Sequence, residues 1–208
     1  MANPKFQNWG EYLLWVYSSL NMMMAALRLG LDRYDRRCYA MRSSRFKAYK
    51  EGRAHVASLY KNNIWKMAAP QDECWYCGRP VSECGPLSAD HILPRSRGGG
   101  DEFDNIAFCC RSCNSSKSAS DLVLWSLDSL ETLPSFFMLC IYLKLVYAYS
   151  ERLGLFPLHR VDLLSMDLPF SVSSVDMLLD FFVHVFDEAE DPAPAPAPDP
   201  VVFPSLFA

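Results

Sequence analysis

Two C-x-x-C pairs are the first residues in this sequence whose types and spacing could do chemistry. Cys74 and Cys77 form one pair, and Cys110 and Cys113 form the other. Two thiolates three positions apart can supply two ligands to one metal ion. Two such pairs complete the four tetrahedral ligands typical of structural zinc. The sequence therefore predicts a four-cysteine zinc site. The other cysteines are interpreted as non-ligands: Cys38, Cys84, Cys109 and Cys140, with Cys38 and Cys140 as small core residues.

A second set of polar residues lies between and beside these pairs. Asp90 and His91 are adjacent, and Asn105 lies fourteen residues after His91. Asn114 directly follows the last cysteine of the second pair. Carboxylate and amide oxygens can hold a hard divalent cation, and an imidazole can take a proton from water. The thirty-two residues between the two cysteine pairs exceed the usual zinc-ribbon gap, so this set is interpreted as an inserted active site.

Local patterns predict the elements that must position these residues. Residues 90–94 read as the end of a short strand that enters a loop, and the glycines at 98–100 give that loop its freedom. Residues 105–109 alternate as a second strand, and residues 111–120 begin a helix. On this strand–loop–strand–helix frame, Asp90 and Asn114 are expected to converge on one divalent ion, with His91 beside it.

These motifs resemble the HNH nucleases, which have the ββα-metal fold. The resemblance rests on the paired cysteines, Asp-His with Pro94 three residues later, Gly-Gly, Asp-Asn-Ile and Cys-x-x-Cys-Asn-x-x-Lys, over residues 74 to about 120. It is similar to the zinc-knuckle subgroup of modified-DNA restriction, phage and homing endonucleases, and to the HNH domain of RNA-guided CRISPR nucleases. One departure is Asn114 where the signature name has His, which favours magnesium as the catalytic ion.

The resemblance implies a role for each residue. His91 would be the general base that deprotonates the attacking water, and Asp90 and Asn114 would hold Mg²⁺ or Mn²⁺ on the scissile phosphate. Asn105 would hydrogen-bond across the loop and fix the backbone of His91. Four cations are candidates for phosphate contacts, with plain surface charges as the alternative: Lys117 first, then Arg95, Arg97 and Arg111.

The expected fold class is α+β, a small ββα-metal module with a four-cysteine zinc site between mainly helical flanks. The divisions are a basic helical region at 1–70, the nuclease module at 71–120, a helical region at 121–190 and a Pro/Ala-rich, disordered tail at 191–208. Helices are expected at 9–29 and at 134–152, where the apolar run is too short to span a membrane. A last helix is expected to be capped by Ser173 or Ser174.

The net charge of −4 conceals a segregation of charge along the chain. Residues 28–66 carry eleven Lys or Arg against three acids, whereas residues 121–208 carry thirteen acids against three basic residues. This asymmetry predicts non-specific phosphate binding by the basic segment, with a solvated helix face as the alternative. The absence of a secretory signal predicts a cytoplasmic protein.

The expected function is a metal-dependent endonuclease that hydrolyses phosphodiester bonds of DNA. The alternative is a catalytically inactive, zinc-stabilised nucleic-acid-binding protein. RNA remains open as a substrate, a homodimer is a possible assembly, and no membrane partner is expected. The biological setting (restriction, phage defence, a mobile element or a toxin) is left open by the sequence.

Overall fold

A computed structural model describes residues 6–56 and 71–186. The helices are α1 Trp9–Arg28, α2 Arg36–Lys50, α3 Val81–Cys84, α4 Arg111–Lys117, α5 Leu122–Leu130, α6 Phe136–Arg152, α7 Arg160–Leu163 and α8 Val172–His184. The strands are β1 Leu87–His91 and β2 Ile106–Cys110, and short 3-10 turns occupy Arg95–Arg97 and Phe103–Asn105. The tail expected at 191–208 and the end of the basic segment lie outside the described residues.

Strands β1 and β2 form a two-stranded antiparallel sheet. Asp90 lies opposite Ala107 and His91 opposite Ile106 in its register, and α4 follows β2 directly. This confirms the strand–loop–strand–helix prediction and the α+β fold class. The second strand begins one residue later than expected, because Asn105 ends the turn that precedes it.

The two N-terminal helices are capped by polar side chains at their starts. The side chain of Asn8 accepts a hydrogen bond from the backbone N–H of Glu11 at 2.9 Å and so caps α1. Gly30 has φ of +62°, the left-handed conformation that commonly follows a helix. Helix α2 is capped by Asp35, and it packs against α1. The predicted helix at 9–29 is therefore confirmed.

Two helices in the C-terminal region begin at other residues than expected. Helix α6 begins after Ser135 rather than at Pro134, and the Ser135 hydroxyl accepts from the Met138 N–H. Helix α8 begins after Ser171, so the predicted caps Ser173 and Ser174 are wrong. This start depends on Asp121, the N-cap of α5. Its buried carboxylate accepts hydrogen bonds from Ser171 N and Ser174 Oγ and so fixes the first turn of α8.

One hydrophobic cluster joins the cysteine-bearing module to its helical flanks. Trp9 of α1 stacks on Phe170, with ring centroids 6.1 Å apart and planes 4° apart. Trp75, which lies within the first C-x-x-C pair, makes an edge contact with Phe137 of α6. The helices thus hold the module in place through shared apolar burial. Within residues 6–56 and 71–186, no helix is both long and apolar enough to cross a bilayer.

Candidate active site and metal cluster

The sulfurs of Cys74, Cys77, Cys110 and Cys113 lie within 4.8 Å of one another. A tetrahedral zinc ion with Zn–S bonds of about 2.3 Å places its sulfurs roughly 3.8 Å apart, so the four thiols fit such an ion. Three of the cysteines are buried, as expected for a closed structural site. In the part of the chain that the structure describes, this is the only group of three or more Cys, His, Asp or Glu side chains placed to hold a metal.

Backbone hydrogen bonds shape the cluster before any ion binds. The N–H of Cys77 donates to Cys74 Sγ at 3.5 Å, and the N–H of Cys110 donates to the same sulfur at 3.3 Å. Gly78, with φ of +70°, closes the turn after the first pair. Trp75 N donates to Phe108 O at 3.0 Å and ties this turn to β2. The second pair spans the end of β2 and the first turn of α4, which brings it beside the first.

The four thiols differ in acidity. Burial opposes ionisation of Cys110, but hydrogen bonds from Ser112 and from the Cys113 N–H lower the pKa of Cys110 to about 6. Burial raises the pKa of Cys113 and the pKa of Cys74. A metal that binds as a thiolate complex must therefore displace protons from Cys74 and Cys113.

Cys84 and Cys109 lie outside the cluster, as the sequence predicts. Cys84 Sγ donates to the backbone oxygen of Arg79 at 3.4 Å. Cys109 is fully buried in the core, and burial raises the pKa of its thiol. Cys38 and Cys140 are likewise buried among apolar residues, which confirms their interpretation as small core residues.

Asp90 lies near the end of β1 with its two carboxylate oxygens in different surroundings. Oδ2 accepts from Tyr76 Oη at 2.8 Å and faces Lys117 Nζ at 2.9 Å. Oδ1 has no hydrogen-bond partner among the described residues. One oxygen of the carboxylate is thus held by two side chains, and the other has no protein partner in the described part of the chain.

Asn114 is oriented in a comparable way from α4. Its Nδ2 donates to Ser88 Oγ at 2.9 Å and to Ala89 O at 3.2 Å, and its Oδ1 has no hydrogen-bond partner in the described chain. Residues two apart on a strand share a face, and residues three apart on a helix are neighbours. Asn114 and Lys117 of α4 therefore reach Ser88 and Asp90 of β1, respectively.

Lys117 differs from its expected place as a phosphate contact. Its side chain is completely buried, and Nζ donates to His91 O at 2.7 Å in addition to its pairing with Asp90. The ammonium is therefore unavailable to a phosphate in this structure. It links the side chain of Asp90 to the backbone of His91.

The imidazole of His91 contacts the loop between the two strands, whereas the carboxylate of Asp90 contacts other parts of the module. Its Nε2 lies 2.8 Å from Asp101 Oδ1, and its Nδ1 has no partner among the described residues. Sequence reasoning missed Asp101. The signal was its position as the first acid after the glycine run, on the loop that must return to β2.

Asn105 crosses the loop between the strands and is fully buried. Its Oδ1 accepts from Leu93 N at 2.8 Å, and its Nδ2 donates to Leu93 O at 2.9 Å and to Gly100 O at 2.8 Å. The amide thus fixes the backbone of Leu93, two residues after His91, rather than that of His91 itself. Gly99 is required here, because a Cβ at this position would lie 2.0 Å from Leu93 O.

The three arginines proposed as phosphate contacts lie at the surface of the module. Arg95 is 71% exposed and its guanidinium is 3.7 Å from Asp101 Oδ2. Arg97 reaches Asp167 at 3.3 Å and so contacts the segment that precedes α8. Arg111 is exposed at the start of α4.

Comparison with known proteins gives one match. Residues 74–120 match the family model described as HNH endonuclease, which confirms the resemblance over the segment that carries the motifs. No curated protein and no solved structure matches the chain. The match indicates a nuclease-type or nucleic-acid-related function, and it leaves the helical flanks outside the matched region.

Proposed function

We propose that this protein is a metal-dependent HNH endonuclease that hydrolyses phosphodiester bonds of DNA. The observation that carries the proposal is the pair of oxygens, Asp90 Oδ1 and Asn114 Oδ1, that have no partner in the described chain while the rest of each side chain is fixed. They lie in the segment that matches the HNH family, with His91 next in sequence.

The chemistry of these donors suits a hard divalent cation. Carboxylate and amide oxygens with room for water ligands are typical of magnesium sites, and manganese accepts the same donors. Asp90 and Asn114 would hold the ion. When bound, it would polarise the phosphate and stabilise the leaving oxygen. The cysteine cluster could hold a second metal ion such as zinc, with a structural role.

The chain's own residues supply the remaining functions. His91 takes a proton from the water that attacks phosphorus, as an imidazole can do near neutral pH. Lys117 holds Asp90 and the His91 backbone at fixed positions. Asn105 keeps the loop after His91 in one conformation. Hydrolysis in this manner leaves 5′-phosphate and 3′-hydroxyl ends.

A supercoiled-plasmid assay tests the proposal. The zinc-loaded protein is incubated with Mg²⁺, with Mn²⁺ and with EDTA, beside His91→Ala and the control His159→Ala, which changes an exposed histidine outside the module. We expect metal-dependent nicking that falls at least about a hundredfold in His91→Ala, a typical loss for a general base. His159→Ala should cut like the parent, and zinc content should be equal in all three proteins.

The same proteins are also tested for DNA binding on a gel and for cleavage of RNA, and each result has a distinct meaning. Retardation of DNA on a gel without cleavage, with zinc bound, supports the alternative of a nucleic-acid-binding protein. Equal cutting by His91→Ala and the parent contradicts the assigned base. Cleavage of an RNA of the same sequence at a comparable rate contradicts the assignment to DNA.

A single site of this kind cuts one strand at a time. We expect that linear product appears only after nicked product, or that two chains act together as a homodimer. Light scattering after size-exclusion chromatography distinguishes these cases, since the chain mass is 23.7 kDa.

A further inference from the structure

We propose that Asp101 is a positioning residue for His91, which keeps the hydrogen on Nε2 and leaves Nδ1 to accept the proton of the attacking water. This inference rests on the proposed endonuclease function and deepens it. It is carried by the 2.8 Å contact between Asp101 Oδ1 and His91 Nε2, together with the unpartnered Nδ1 in the described chain.

The contact assigns the imidazole tautomer. An ionised carboxylate can only accept hydrogen bonds, so the ring nitrogen that faces it must carry the hydrogen. In a neutral imidazole the other nitrogen, Nδ1, then has a free lone pair. The side chain of His91 is 27% exposed, so water can reach it.

The loop that carries Asp101 is anchored at the three glycines that precede this residue. Gly98 has φ of +93°, and Gly99 lies too close to Leu93 O to bear a side chain. Gly100 is held through both backbone groups, because its carbonyl accepts from Asn105 Nδ2 and its N–H donates to the hydroxyl of Tyr149 on α6. The backbone immediately before Asp101 is therefore fixed by groups that do not belong to the reaction.

The neighbouring acid, Glu102, has a different partner from Asp101. Glu102 Oε1 pairs with the guanidinium of Arg152 on α6 at 3.1 Å. Arg95 approaches the outer oxygen of Asp101 at 3.7 Å and leaves Oδ1 to His91. The two consecutive acids thus have different partners, and Glu102 offers a matched control for Asp101.

The reaction step balances without any further reactant. The water oxygen forms a bond to phosphorus, its proton goes to His91 Nδ1, and the bond from phosphorus to the 3′ oxygen breaks. The 3′ oxygen receives a proton from solvent. The imidazolium formed in this step lies beside the carboxylate of Asp101, which stays ionised and stabilises the positive charge.

Steady-state cleavage compares the parent with Asp101→Ala, Asp101→Glu and Glu102→Gln on the zinc-loaded full chain. We expect Asp101→Ala to lower kcat about ten- to a hundredfold with KM within about twofold, since general-base catalysis contributes about 10²–10⁴-fold and part of it survives without the orienting group. Asp101→Glu should restore part of the loss, and Glu102→Gln should match the parent.

A readout that does not depend on cleavage accompanies these rates. In protein labelled with ¹⁵N-histidine, NMR shows which ring nitrogen of His91 bears the hydrogen, with the resonance assigned from His91→Gln. We expect hydrogen on Nε2 with slowed solvent exchange in the parent and faster exchange in Asp101→Ala. Hydrogen on Nδ1 in the parent overturns the inference.

The cleavage rates of the parent and of Asp101→Ala distinguish failure of the role of Asp101 from failure of the proposed endonuclease function. A parent that cuts, with Asp101→Ala cutting as fast or faster, overturns the role of Asp101 and leaves the endonuclease intact; a faster variant would mean that Asp101 shields His91. A parent that does not cut overturns the proposed function and, with it, any catalytic role of Asp101, whatever the NMR shows about the hydrogen.

Discussion

Lys117 Nζ lies 2.9 Å from Asp90 Oδ2, and the lysine side chain has no exposed surface. This ion pair joins α4 to β1 at the point where both elements present candidate site residues. Tyr76 Oη donates to the same carboxylate oxygen, so the buried charge is both paired and hydrogen-bonded. The arrangement fixes Oδ2 of Asp90 in place.

The first prediction concerns this ion pair. Lys117→Met keeps most of the aliphatic stem but removes the charge, which leaves the carboxylate of Asp90 without its cationic partner in a largely buried place. Removal of one partner of a buried pair typically lowers stability by about 3–5 kcal/mol. We expect a loss of this size in the free energy of unfolding, measured by urea denaturation of the zinc-loaded protein. Arg111→Met, an exposed change on the same helix, should alter it by less than about 0.5 kcal/mol. Equal stability of both variants would contradict the importance of the pair.

Local spacing made the centre of this fold predictable from sequence. Cysteines three apart on a turn, a strand ending at His91 and a helix starting after Cys110 depend on neighbouring residues, so the strand–loop–strand–helix order and the four-cysteine cluster follow from pattern alone. The α+β class followed from the same motifs.

The misplaced residues depend on contacts between distant elements. Lys117 was expected at the surface, because sequence does not reveal which face of α4 packs on β1. Arg42 belongs to the basic segment 28–66, for which phosphate binding is expected, yet it is buried with its guanidinium 4.5 Å from the centroid of the Trp15 ring. The start of α8 at Ser171 depends on Asp121, fifty residues earlier. No local pattern contains these pairings.

The second prediction concerns the cysteine cluster. Cys113→Ser removes one ligand, so we expect the zinc content to fall from about one ion per chain to near zero, with loss of thermal stability, because structural zinc contributes directly to folding. Elemental analysis after dialysis measures the change. Cys84→Ser should keep its zinc, since this thiol bonds to a backbone oxygen outside the cluster. Zinc loss in Cys84→Ser, or full retention in Cys113→Ser, would contradict the assigned ligands.

The third prediction is that zinc binding weakens as the pH falls. Protons and zinc compete for the same sulfurs, and a thiol with a raised pKa, such as that of Cys113, must lose its proton to bind. Hydrogen bonds from Ser112 and the Cys113 N–H lower the pKa of Cys110 to about 6, so below this pH the most acidic thiol is also protonated. We expect transfer of zinc to a chelator to increase steadily from pH 8 and to be extensive below about pH 6. Release that is independent of pH would contradict thiolate ligation.

The fourth prediction concerns Asp121, which connects three helices. Its buried carboxylate accepts hydrogen bonds from five groups: Val123 N, Leu124 N, Ser171 N, Ser174 Oγ and Tyr142 Oη. Asp121→Ala leaves these donors without an acceptor, and each buried donor left unsatisfied costs about 1–3 kcal/mol. We expect a loss of at least about 3 kcal/mol in the free energy of unfolding. Asp128→Ala, an exposed change in the same helix, should have little effect, and equal losses would contradict the role of Asp121.

The last prediction concerns the basic surface of α2. Arg37 pairs with Asp35 and Lys47 lies 3.9 Å from Glu51, whereas the exposed residues Arg36 and Arg45 form no ion pair within the described residues. These two guanidiniums are therefore the best placed on α2 to bind phosphate, and Arg42 is excluded by its burial.

Reversing both charges, with Arg36→Glu and Arg45→Glu, should weaken binding to a duplex and make it less sensitive to salt. Each lost phosphate contact removes about 0.9 from the slope of log K against log salt, or about 1.8 for two. Fluorescence anisotropy over a salt series measures both quantities. The control places two acids on exposed positions of another helix, Ser173→Glu and Met177→Glu, and should shift the slope by much less. An unchanged slope in the α2 variant would identify this surface as a solvated helix face, since released counterions are the signature of phosphate contacts.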